Sequence, residues 1–144
     1  MGYTVRNISS LDYLRLINLL YNDVEQKAIP AESLHQLYLM LKSARKIKSE
    51  SMPDNIVTMN SNVVIKYVKS GKTKTIKIVY PDDPGLTKTN MDIEDSIPVY
   101  NPLAMSILGL KEHDICFSGR GMEEEPVIID KILFQPEAHR LFNL

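Results

Sequence analysis

Val63-Val64-Ile65-Lys66-Tyr67-Val68, then Ser70-Gly71-Lys72, then Thr75-Ile76-Lys77-Ile78-Val79-Tyr80: along this stretch apolar residues recur at every second position. Val63, Ile65 and Tyr67 fall on one side of a first strand. Ile76, Ile78 and Tyr80 fall on one side of a second, and the glycine-bearing turn between them makes a β-hairpin. Upstream the period is that of a helix. Leu14, Ile17, Tyr21 and Val24 recur at three- and four-residue spacing, widened by Leu16 and Leu20. Ser9 or Ser10 can cap this helix, and Asp12 stands in its first turn, where the macrodipole favours an anion. After Pro30, Leu34, Leu37, Leu41 and Ala44 give a second stripe. The link is short, so the expected unit is an antiparallel α-helical hairpin, a short coiled coil, with helices roughly 20–28 Å long at ~1.5 Å per residue.

Ser49 to Asn55 reads as a linker, with Pro53 ending the second helix. Two units follow: a helical arm over residues 1–50 and a sheet domain over 53–144. In the second, Pro81 to Gly85 is a loop and Asp92 to Pro98 can hold a short strand. Pro102 to Leu108 is a single short helix, opened by proline and stopped by Gly109. Ile115 to Phe117 and Val127 to Phe134 complete the strands. The fold class is α+β, with an antiparallel sheet crossed by one helix.

The 144 residues are 44% hydrophobic and 24% charged, which excludes a disordered or purely coiled-coil chain. The longest apolar run, Leu37 to Leu41, is far short of the ~20 residues that span a bilayer, so no membrane association is expected. No basic leader precedes an apolar core, and the expected location is the cytoplasm. The net charge of −1 gives no general attraction for nucleic acid, and no sequence-specific binding to it is expected.

Catalytic constellations are scarce. His35, His113 and His139 stand in three unrelated contexts, and Cys116, the lone cysteine, lies in a strand as a small hydrophobe. No catalytic residue, metal ligand or cofactor is assigned, and the chain is not expected to be an enzyme. Lys66, Lys69, Lys72, Lys74 and Lys77 make one basic hairpin. It is either a solvated edge that discourages strand pairing or a contact strip for an acidic surface or a nucleic-acid backbone. Asp23, Glu25 and Glu32 cluster where the arm turns back. They are either an ordinary polar tip or carboxylates that the arm delivers to a metal held by a partner.

The order of these motifs is more specific than any one of them. Ile56-Val57-Thr58-Met59-Asn60-Ser61-Asn62-Val63 opens the sheet domain, and Ile78-Val79-Tyr80-Pro81 closes its hairpin. Ser96-Ile97-Pro98-Val99-Tyr100-Asn101-Pro102-Leu103-Ala104-Met105-Ser106-Ile107-Leu108-Gly109-Leu110 follows, then Lys111-Glu112-His113-Asp114 and a last strand ending Phe134-Gln135-Pro136-Glu137. Over residues 53–138 this resembles the C-terminal domain of the GreA/GreB family of transcription elongation factors, and most closely its short-armed Rnk members. The resemblance extends more weakly to the helical hairpin. It implies an FKBP-like domain on a coiled-coil arm, and bacterial RNA polymerase as partner, with the sheet domain docked at the secondary channel and the arm inside it.

Two departures from that family shape the expectation. The arm is much shorter than in the cleavage factors, as it is in Rnk. The tip offers Asp23-Val24-Glu25-Gln26 where the cleavage factors have Asp-Leu-x-Glu-Asn. The resemblance therefore implies a regulator of transcription that occupies the channel entrance and competes with Gre-type factors without stimulating cleavage. The alternative is a cleavage and elongation factor working through Asp23, Glu25 and Glu32. The expected contact surface is Tyr100, Asn101, Pro102 and Leu103 together with Pro81, Asp82 and Asp83. Smaller departures are Asn101, where the family often has serine, and His113, where it commonly has glycine.

Overall fold

The computed structural model of the chain describes residues 5–21, 29–80, 95–118 and 125–141. Strand β1 (Asn7–Ser9) runs directly into helix α1 (Ser10–Tyr21), and helix α2 (Ala31–Ser43) is followed by β2 (Arg45–Ile47). A 3-10 turn at Ser49–Ser51 leads to the sheet domain: β3 (Asn62–Tyr67), β4 (Thr73–Val79), β5 (Asp95–Pro98), helix α3 (Pro102–Ile107), β6 (Ile115–Ser118) and β7 (Glu125–Phe134). A second 3-10 turn, Pro136–His139, follows β7. No described helix is long and apolar enough to cross a membrane.

The alternation read in the hairpin is the one that folds. Val63, Ile65, Ile76 and Ile78 are fully buried, and β3 pairs antiparallel with β4. On its other side β3 pairs antiparallel with β7, with register shifts between Asn62 and Val63 and between Val64 and Ile65, and β6 closes that side. The order is β5-β4-β3-β7-β6. The inner face carries Val127 and Ile129 as well and packs on Ala104, Ile107 and Leu108 of the α3 region.

The expectation of a wholly antiparallel sheet needs correction. Strand β5 pairs parallel to β4, Ile76 with Asp95 through Val79 with Pro98, so the five-stranded sheet is mixed. Parallel neighbours need a crossover of a dozen residues or more, and residues 80–94 supply that length. A second small sheet was not foreseen: β1 and β2 pair in parallel, Asn7 with Arg45 through Ser9 with Ile47. It ties the start of α1 to the end of α2.

Helices α1 and α2 contact each other, and Leu16, Leu19, Leu37, Met40 and Leu41 join the same core cluster as the sheet residues. The second stripe holds as read. The first is rotated: α1 buries Asp12, Leu16 and Leu19, while Leu14 is 60% and Tyr21 75% exposed. The cause is Asp12, whose side chain is held by the sheet domain and turns its own face of the helix inward.

Candidate partner-docking surface

Four of the residues expected to face a partner meet at one corner. After β5 the chain turns, with Asn101 N–H donating to the Pro98 carbonyl at 2.9 Å. The Asn101 carboxamide oxygen then accepts from Leu103 N–H at 2.9 Å, which caps α3, and Pro102 takes a first position where a missing N–H costs nothing. Pro102 is exposed, and Tyr100, Asn101 and Leu103 are half-buried. Pro81, Asp82 and Asp83, expected beside them, lie outside the described residues. So do Asp23 and Glu25. Glu32 is described: it is exposed in the first turn of α2.

The other end of α3 is held by Arg6. Its guanidinium Nη1 donates to the Met105 carbonyl at 2.6 Å and the Leu108 carbonyl at 2.9 Å, satisfying carbonyls that the end of a helix leaves unpaired. Burial lowers the pKa of Arg6. Gly109 follows at φ +85°, and its N–H donates to Val57 while its carbonyl accepts from Asn7 N–H at 3.0 Å. A Cβ there would stand 2.9 Å from Arg6 Cβ and 3.1 Å from the Asn7 backbone. The short helix is thus clamped at both ends.

A third group fastens the arm to the sheet. Ser9 Oγ accepts from Asp12 N–H at 3.1 Å and caps α1. The buried Asp12 carboxylate accepts from Tyr80 O–H at 3.0 Å and Met59 N–H at 3.2 Å. Burial, reinforced by nearby Glu137, raises the Asp12 pKa to about 6 against these hydrogen bonds. Burial, and then the Asp12 charge, push the Tyr80 phenol far above its usual range. The Arg15 guanidinium lies 3.9 Å from the Tyr80 ring centroid, a cation–π contact. Thr58 Oγ1 donates to Glu137 at 2.7 Å from the far side.

Neither Arg6 nor this Asp12 node was foreseen. An acid in a first helical turn reads as a surface charge, and one isolated arginine before a helix carries no periodic signal. The histidines stay apart: His35 is exposed, His139 stacks on Phe134 at 5.0 Å, and His113 sits at φ +74°. Among the described residues no three His, Cys, Asp or Glu side chains gather as a metal site. Cys116 faces the core side of β6, where burial pushes its thiol up to about 11.

No protein-family model matches the sequence, and no curated protein matches it significantly. Solved structures do. A prokaryotic transcription elongation factor GreA/GreB from Nitrosomonas europaea is 26% identical, with a TM-score of 0.68 over 92% of this chain and all of that one. GreA factor homolog 1 (Gfh1) of Thermus thermophilus is 14% identical, with a TM-score of 0.46 over 91% of this chain and all of that one. Gfh1 of Thermus aquaticus is also 14% identical, at 0.47 over 90% of this chain and 99% of that one.

Proposed function

We propose that the chain is a transcription regulator that binds bacterial RNA polymerase at the entrance of the secondary channel and competes there with Gre-type factors, without promoting transcript cleavage. The observation that carries this reading is the likeness to the Nitrosomonas europaea elongation factor, which runs through both the helical segment and the sheet domain. It fits a cytoplasmic, non-catalytic protein whose work is done by occupying a site. The corner at Tyr100–Leu103 is the proposed contact, because clamping at both ends of α3 presents it as a rigid edge.

The non-cleaving part of the proposal rests on reach. The described helices hold 12 and 13 residues, or about 18–20 Å at ~1.5 Å per residue. A carboxylate acts on a divalent cation only from about 2.0–2.6 Å. An arm that stops short can block the channel but contributes no ligand.

The test is binding of the chain to core RNA polymerase, alone and against a cleavage factor, together with a transcript-cleavage assay on a backtracked complex. Competition with no shortening of the transcript is expected. An absence of micromolar binding, or binding without competition, overturns the proposal. Transcript shortening that disappears in Asp23→Ala with Glu25→Ala would replace it with a cleavage factor working through the arm tip.

A further inference from the structure

The face of the sheet turned away from α3 carries an apolar strip at its β6 edge. Cys116 packs inward, so Ile115 and Phe117 on either side of it point outward, 56% and 58% exposed. Pairing sets Ile115 opposite Ile128 and Phe117 opposite Pro126. Val68, just past the end of β3, donates its N–H to the Pro126 carbonyl at 3.1 Å and is itself half exposed. Directly paired residues on one face of a sheet lie within about 5.5 Å, so these five side chains form one continuous surface. Edge strands are normally guarded by lysine, proline or a charge on the strand itself. β6, Ile-Cys-Phe-Ser, has none.

Two lysines and one acid border the strip on the same face, the acid being Asp130, which follows inward-facing Ile129 at the bulge of β7. Lys66 pairs with Ile128, and Lys131 and Val64 sit opposite each other in the next row. We infer that this face is a second docking surface, whose occupant is a polymerase segment presenting apolar side chains flanked by carboxylates; the inference rests on the polymerase reading above. Of the basic hairpin noted in the sequence, Lys66 stands at this border, whereas Lys74 pairs with buried Ile65 and belongs to the other face. Three observations select the occupant. The border carries Lys66 and Lys131 against Asp130, a net positive charge, so the complementary partner is anionic. The strip's one aromatic ring is Phe117, whereas base-binding platforms on sheets stack successive aromatic residues, and the net charge of −1 offers nucleic acid no general attraction. A second copy would bring one net-positive border against another.

The experiment measures binding of the N-terminally labelled full chain to core RNA polymerase by anisotropy. The unaltered chain is compared with Ile115→Ser/Phe117→Ser, Lys66→Glu/Lys131→Glu and, outside the five-stranded sheet, Lys48→Glu. We expect at least tenfold weaker binding for both double variants, unchanged binding for Lys48→Glu, and a weaker salt dependence for the lysine pair. The lysines are exposed, so that pair carries the test should the serine variant fail to fold. No binding by the unaltered chain overturns the polymerase reading and this inference with it. Binding within twofold for both double variants overturns this inference alone. Sedimentation showing a dimer that Phe117→Ser dissociates would assign the strip to a second copy. A labelled single-stranded RNA whose binding is lost in Lys66→Glu/Lys131→Glu would assign it to nucleic acid.

Discussion

Asp12 is 6% exposed and accepts two hydrogen bonds from the sheet domain, so its titration is coupled to folding. In the folded chain its pKa is about 6, against 3.8 as the reference for an unfolded chain. The folded state therefore binds the extra proton between these values. Its contribution to stability is full below about pH 4 and is lost as the pH rises through about 6, by on the order of 3 kcal/mol. Urea unfolding at a series of pH values should show that decline, and Asp12→Asn should flatten it. A parallel decline in the variant would place the titrating group elsewhere. His113 adapts in another way. At φ +74° it occupies the left-handed region that costs most residues about 1–2 kcal/mol, at the position where the resembled family commonly has glycine. His113→Gly, after the entropy glycine forfeits, should raise stability by about 0.5 kcal/mol, read as a higher urea midpoint with an unchanged slope.

Among elements, α3 depends most on its surroundings. Six residues are too few to hold a helix in water, so it persists through Asn101 at one end, Arg6 and Gly109 at the other, and burial of Ala104 and Ile107. Gly109→Ala forces a Cβ into Arg6 and into a φ of +85°, and should cost at least about 2 kcal/mol in chemical unfolding. Arg6→Met keeps the packing of the stem but leaves two carbonyls unpaired, a loss of about 2 kcal/mol in the same measurement. Elements that carry their own period were legible in the sequence: the second helical stripe, the hairpin at Val63–Val79, the proline-led helix and the last strand. Those that depend on partners distant in sequence were not. β1 and β2 are three residues each and have no period to read, and the parallel seat of β5 follows from a crossover whose direction no local residue encodes. The facing of α1 was misread for the same reason, since Tyr80 and Met59 select it from afar. Of the candidate site, the proline-led start of α3 at Pro102 could be read because helix-start chemistry is local; the Asn101 cap, the Arg6 clamp and the sheet's exposed strip were not.

For the whole molecule, one core cluster joins the helical segment to the sheet domain, and the β1–β2 pair braces the base of the arm. The proposed occupancy of a channel asks for such a joint, because an arm that swings freely would lose entropy on insertion. Weakening the joint should therefore weaken competition before it weakens folding. Tyr80→Phe removes the hydrogen bond to Asp12 and keeps the ring under Arg15. It should lower stability by about 1–2 kcal/mol and reduce the power to displace a cleavage factor from polymerase. Full displacement by the variant would show that rigidity at this joint has no part in binding.

The lone thiol gives the molecule a built-in reporter. Cys116 lies beneath the outermost strand, half-buried and reluctant to ionise, so an alkylating reagent can reach it in quantity only when that strand peels from Val127. Its modification rate at fixed pH then measures fraying at the margin of the sheet. A ligand that clamps Ile115 and Phe117 from outside should slow that rate, and one that engages only the helices should leave it as it was.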